Sequence, residues 1–190
     1  MRRLIACCLV GLLSIVPLQA ARDFDGVDDV INCGSAAAID DFVNLTISFW
    51  FFTNAAGLDY LVTKIDGAPT EGWYVAHTAD AKILFFRRFT TTSGTWETPA
   101  SSIALSTWYH IAVTYNNSST TNDPIIYING TAQTLSEVTP VGTAESDAGD
   151  SLTIGDRGAG PGAPLNGRVA EVAYYNVILN ADSISGIRRS

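Results

Sequence analysis

The residue pattern predicts an all-β protein, an antiparallel β-sandwich of two sheets with a short C-terminal helix. Three observations carry this. Apolar residues recur at a period of two along roughly a dozen short runs. Turns built on glycine, asparagine and aspartate separate those runs. Helical spacing is confined to the C-terminal end, so helices do not alternate with strands as they would in a parallel α/β fold. The chain shows no internal repeat, which argues against a propeller or a solenoid.

Taken in order, the chain opens with Arg2 and Arg3, an apolar run from Leu4 to Leu18, and small residues at Ala20 and Ala21. That is the layout of a secretory signal peptide, residues 1–20, cleaved near Ala20. The domain then spans 21–190 and its location is extracellular, or periplasmic or cell-surface in a bacterium. An uncleaved membrane anchor is the competing reading, since about 18 apolar residues can span a bilayer; after cleavage no membrane contact is expected.

Arg22 to Cys33 reads as two short strands bent at Asp25-Gly26, and Ala36 to Phe42 as a linker with one helical turn. Asn44 to Thr53 is the most hydrophobic run. Leu45, Ile47, Phe49 and Phe51 fall on one face and Thr46, Ser48, Trp50 and Phe52 on the other, the mark of a central strand covered on both sides. Leu58 to Ile65, Gly72 to Thr78 and Lys82 to Phe89 are three further strands, with turns at Asp66-Gly67 and Asp80. Thr90 to Ser106 is a Ser/Thr/Pro/Gly-rich loop with at most one poor strand.

Trp108 to Tyr115 alternates cleanly, with Tyr109, Ile111, Val113 and Tyr115 on one side. Pro124 then opens a strand, Ile125 to Ile128, which ends in Asn129-Gly130, the dipeptide best suited to the positive φ angles of a tight hairpin. Ser136 to Asp150 is acidic and aperiodic. Ser151 to Gly155 and Gly167 to Tyr175 return to strand around the irregular loop Arg157 to Pro164. Asn180 caps a final helix that carries Asp182 in its first turn and Ile184 and Ile187 on one face.

Several of these blocks resemble the laminin G-like members of the concanavalin A-like lectin/glucanase superfamily. The strand with Trp108, His110, Ile111, Ala112 and Tyr115, followed by Tyr127, Asn129 and Gly130, is similar to that family's W-x-H-I/V-A-x-x-Y and Y-x-N/D-G strands. Phe24-Asp25-Gly26-Val27-Asp28-Asp29 looks like its opening F-D-G-x-x-D strand pair. Leu152 to Asp156, Gly167 to Asn176 and Leu179 to Ile184 look like its closing series. The resemblance spans about Arg22 to Arg188 and implies a jelly-roll order for the strands. It says much less about activity, because that fold hosts lectins, hydrolases, adhesion modules and structural proteins.

The formal charge is −8 for the whole chain and −10 once Arg2 and Arg3 leave with the leader. Such a surface argues against nucleic acid, whose phosphates need a basic face. Cys7 and Cys8 belong to the leader, so the domain keeps only Cys33. No internal disulfide is then available, and stability is left to the core. A buried free thiol is expected, with an intermolecular disulfide as the alternative.

For catalysis the sequence offers little. The glucanases of this superfamily carry an E-x-D-x-x-E run, which is absent here, and Asp28-Asp29 and Asp40-Asp41 are neighbours whose side chains diverge on an extended backbone. His77 and His110 stand beside no nucleophile signature. The expectation is a protein that is not an enzyme, with glycoside hydrolysis as the weaker alternative.

Calcium needs several oxygen ligands gathered from loops. Asp25, Asp28 and Asp29 with Glu171 form one candidate set, because the resemblance implies that the first and last strands lie side by side. Asp147, Asp150 and Asp156 form the alternative. The competing reading of both is a solvated turn whose aspartates hydrogen-bond the backbone.

Glycan recognition needs an aromatic platform with polar groups around it. Trp73, Tyr74, Arg87 and Trp96 are the candidates, at strand ends or in loops where the core does not demand aromatics. Trp50 and Trp108, in strongly hydrophobic strands, are assigned to the core. Arg87-Arg88 puts adjacent charges on opposite faces of a strand, so one face must be wet or carry a paired acid. The sequence thus points to a secreted binding module for a carbohydrate or a cell-surface protein, possible calcium assistance included. The alternative is a self-assembling subunit, a homo-oligomer or filament.

Overall fold

The structure is a computed structural model and describes residues 21–65, 71–157 and 162–189. The leader assigned to 1–20 and the turn at Asp66-Gly67 lie outside the described residues. Strands follow in the order β1 (Arg22–Asp25), β2 (Ile31–Asn32), β3 (Asn44–Thr53), β4 (Asp59–Lys64), β5 (Trp73–His77), β6 (Ile83–Arg87) and β7 (Gly94–Glu97). Then come β8 (Tyr109–Asn116), β9 (Ile125–Ile128), β10 (Thr131–Ala132), β11 (Ser136–Val138), β12 (Leu152–Ile154) and β13 (Asn166–Tyr175), closed by helix α1 (Ala181–Ile187). A single 3-10 turn, Ala37–Ile39, occupies the linker before β3.

These strands form two antiparallel sheets. Sheet one runs β1-β13-β3-β8-β9-β10 and sheet two runs β11-β7-β6-β5-β4-β12-β2. The most hydrophobic run does take a central place, as β3 between β13 and β8. The two inner faces bury one core: Leu45, Ile47, Phe49, Phe51, Ile111 and Val113 from sheet one meet Leu61, Val75, Ile83 and Phe85 from sheet two. Burial of such side chains is worth about 1.5–3 kcal/mol each and drives the closure of the sandwich. Asn129 and Gly130 turn the β9–β10 hairpin with φ of 52° and 81°, the positive pair expected of that dipeptide.

Helix α1 lies on the outer face of sheet one. The Asn180 side chain accepts from Ser183 N at 2.9 Å, a cap that satisfies an otherwise unpaired amide. Ile184 packs with Ala112, Tyr127 and Leu179 in a second, smaller cluster. Thr46 Oγ1 donates to Val177 O at 2.6 Å and accepts from Leu179 N at 3.0 Å, which moors the segment leading into the helix. Among the described residues no helix is long and apolar enough to cross a membrane.

Several expectations need correction. Trp50 and Trp108 are half-buried on the outer face of sheet one, against His110 and Phe52 respectively, and not in the core. Trp73 and Trp96 are fully buried between the sheets. Thr90 to Ser106 contains β7, and Ser136 to Asp150 begins with β11, a strand too short and polar to show a period. Cys33 is free but exposed, because it follows the two-residue edge strand β2, where the side chain meets solvent.

His110 is a buried titratable group on the outer face of sheet one. Its Nε2 pairs with Ser48 Oγ at 2.9 Å and its ring meets the edge of Trp50 at 5.4 Å. Burial first, and the Arg188 charge second, lower its pKa from 6.5 to about 4. The folded protein keeps this ring neutral while the unfolded chain protonates it below its ordinary pKa of about 6.5. Its stabilising contribution is therefore complete above about pH 6.5 and is lost as pH falls towards 4. Proton titration of the His110 ring by NMR should give a midpoint near 4. His110→Gln, which keeps a partner for Ser48 but does not titrate, should flatten the fall in urea midpoint across that range.

Candidate functional site

One concavity among the described residues starts from Trp96. β7 carries Gly94 two residues earlier, and a Cβ there would fall inside the Trp96 ring, so the indole lies flat across its own strand. Phe85 stacks on it at 5.9 Å and Tyr115 reaches it from the opposite sheet at 5.3 Å. The ring is thus sealed, and its Nε1 alone is spent outward. It donates to Asp123 Oδ1 and to Glu137 Oε2, both at 3.1 Å.

Asp123 stands immediately before Pro124 at the entry to β9, and Glu137 is the register partner of Trp96 on β11. Two sheet edges therefore bring their acids to one N–H. Burial, followed by a hydrogen bond to Glu137, raises the pKa of Asp123. Hydrogen bonds from Thr139 and then Asp123 lower that of Glu137. The two carboxyls are thus held in unlike surroundings although they accept from one indole N–H. Around them Pro124, Ile125, Gln133 and Leu135 complete a cleft of about 350 Å³.

A second feature lies on the outer face of sheet two. Tyr74 and Phe86, cross-strand partners on β5 and β6, stack at 4.7 Å with an interplanar angle of 11°. Tyr60 meets Tyr74 edge-on at 5.0 Å, and the Arg157 guanidinium sits 5.7 Å from the Tyr60 ring centre. Burial, with a smaller contribution from Tyr60, pushes the Tyr74 hydroxyl up to about 12.

The four residues assigned to glycan binding do not form one site. Tyr74 belongs to this outer face, and Trp96 offers the cleft only its Nε1. Trp73 and Arg87 are cross-strand partners that both turn inward. Arg87 is 2% exposed, its Nη1 bonded to Asp147 Oδ2 at 3.1 Å and its Nη2 to Glu145 O at 2.8 Å. Arg88 turns outward to Ser93 Oγ. The adjacent arginines thus take opposite faces, one of them against an acid.

Neither acidic set assembles as a group. β1 and β13 do pair, but Asp25 lies opposite Asn166, which puts Glu171 five residues further along β13, about 16 Å away. Asp25 Oδ1 instead accepts from Val27 N, and Asp29 accepts from Asp25 N and from Arg22. In the second set Asp156 turns to the backbone N–H groups of Arg157, Gly162 and Ala163, away from Asp147. Among the described residues no three His, Cys, Asp or Glu side chains gather as a metal would require.

Sequence reasoning missed Asp123, Gln133, Glu137 and the wholly buried Lys64. A legible signal existed for the last: a lone lysine inside the apolar run Leu61 to Ile65 demands buried anions.

A laminin G-type family model, described as the concanavalin A-like lectin/glucanases superfamily, matches residues 25–185. The chain belongs to this superfamily. Among curated proteins no match is found. Solved structures similar to this superfamily member include a native heptameric SAP-like pentraxin from Limulus polyphemus, at TM-score 0.67 and 12% identity over 91% of this chain and 83% of that one. They include the Ruminococcus gnavus IT-sialidase CBM40 bound to α2,3-sialyllactose, at TM-score 0.66 and 14% identity over 88% and 97%. A leech intramolecular trans-sialidase matches at TM-score 0.66 and 14% identity over 90% of this chain, which spans 27% of that enzyme. At these identities the likeness is one of fold, and the jelly-roll expectation agrees with it.

Because the indole is buried, its two roles can be separated. Trp96→Phe keeps the ring contact but removes the donor beneath two carboxyls, and should cost about 1–3 kcal/mol in urea unfolding. Trp96→Ala should cost about 3–5 kcal/mol through the cavity it opens.

Proposed function

We propose that this protein is a secreted, non-catalytic binding module that recognises a carbohydrate in the cleft beside Trp96. The observation that carries the reading is that Gln133, Asp123 and Glu137 line one cleft with an apolar wall of Pro124, Ile125 and Leu135. Sugars present both hydroxyls and apolar C–H faces, and a concavity that offers acceptors, an amide and apolar surface together matches both. The lectin-type fold and the neighbouring module whose title names bound sialyllactose support a binding role. Two acids at the rim disfavour an acidic sugar and favour a neutral or amino sugar.

Catalysis fits less well. Asp123 and Glu137 both accept from the Trp96 Nε1 at 3.1 Å, so each is already held by the fold, whereas a hydrolase pair flanks an open glycosidic bond. His77 is bound to Asp59 at 2.9 Å and sealed between the sheets, and its Nε2 meets no nucleophile among the described residues.

Exposed Cys33 gives the assembly reading its own observation, and the pentraxin neighbour is titled heptameric. Light scattering with and without reductant distinguishes a Cys33-linked oligomer from a monomeric binder.

Gln133→Ala and Asp123→Asn should each weaken glycan-array signals at least about tenfold, the loss of one to two polar contacts, with little change in melting temperature. Tyr74→Ala, on the outer face, should leave the signals in place. A blank array across neutral and amino sugars, with folded protein, removes the reading.

A further inference from the structure

The end of the sandwich where β4 and β5 meet the 145–150 loop holds an oxygen cage with a cation already inside. Lys64 ends β4 and is 0% exposed. Its Nζ donates to Asp40 Oδ1 at 2.7 Å, to Asp147 O, and to Asp150 O at 3.1 Å, and it stands 3.3 Å from Asp147 Oδ1. Three N–H donors thus find three acceptors, and a second carboxylate balances the charge. Two carboxylates and two backbone carbonyls, drawn from the turn before β3 and from the late loop, are the oxygen types that loops offer to calcium.

We infer that the Lys64 ammonium is the resident cation of this cage. Being tethered to β4, it orders the Asp147–Asp150 loop without any free metal ion. Asp40 and Asp147 bring two formal negative charges, against Lys64 in the cage and Arg87 on the far oxygen of Asp147. Removing the lysine leaves two carboxylate oxygens and two carbonyls facing one another without a cation. The oxygens lie at 2.5–3.3 Å from Nζ, so contraction by at most about 0.7 Å would bring them to the 2.3–2.6 Å of calcium ligands. The inference is independent of the carbohydrate reading.

Thermal unfolding of the full domain in EDTA and in about 10 mM CaCl₂, enough to fill sites with dissociation constants of about 10⁻⁴–10⁻³ M, tests it. The wild-type melting temperature should move by less than about 1 °C between the two. Lys64→Ala should melt well below wild type in EDTA and recover about 5 °C or more in calcium, and Asp40→Asn on that background should abolish the recovery. Where Lys64→Ala does not accumulate in folded form, refolding from urea in calcium and in EDTA carries the same information: recovery in calcium alone supports the proposal, and recovery in neither overturns it. A wild-type protein stabilised by calcium and rendered insensitive by Asp147→Asn would also overturn it, since a free metal would then hold the cage.

Discussion

The contact of Tyr115 with Phe85 and Trp96 holds the cleft side of the sandwich in place. Tyr115 belongs to sheet one and the other two rings to sheet two, with centroids 5.3–5.9 Å apart among the three. Such ring pairs add about 0.5–1.5 kcal/mol each beyond the area they bury, and their edge and offset geometry fixes how the sheets lie on each other. Because Trp96 is clamped on both faces, its Nε1 has one direction in which to point. Asp123 and Glu137, from different sheets, are gathered there by a donor that cannot move. The placement of the two acids at this rim therefore rests on the ring packing beneath it.

The 145–150 end is closed by a different force. Lys64, Arg87, Asp147 and Asp40 form a chain of ion pairs almost without exposure to water. Buried ions carry a large desolvation cost that their mutual attraction roughly offsets when every lone pair and N–H is used. The network consequently specifies a loop position more than it adds stability. At one end of the molecule the buried carboxylates meet buried cations, while at the Trp96 rim two carboxyls meet one indole N–H. Acidic residues so numerous in the sequence thus serve as counter-ions to buried cations in one place and as acceptors of an indole N–H in another.

The outer faces divide in the same manner. Helix α1 covers part of sheet one and forces His110 to stay neutral beneath it. Sheet two leaves the Tyr74–Phe86 stack partly in solvent, steadied by Tyr60 and Arg157. A sheet face with stacked aromatics is stable without a lid, because each ring shields its neighbour.

How much of this was legible follows from range. Alternation along β3 and β8, the Asn129-Gly130 hairpin and the Asn180 cap depend on residues a few positions apart, so local spacing was enough to find them and, with the family blocks, the jelly-roll order. Which tryptophans are buried could not be read in that way: runs richest in apolar residues put Trp50 and Trp108 outward, while the reading of Thr90 to Ser106 as a Ser/Thr/Pro/Gly-rich loop hid the inward Trp96. The cleft joins Asp123 and Glu137 from different sheets, and the cage joins Lys64 to Asp40 and Asp147 over intervals of 24 and 83 residues. Chain periodicity carries the direction of a side chain relative to its own strand; the partner it finds there is settled by how the sheets stack, and no local pattern encodes that distance.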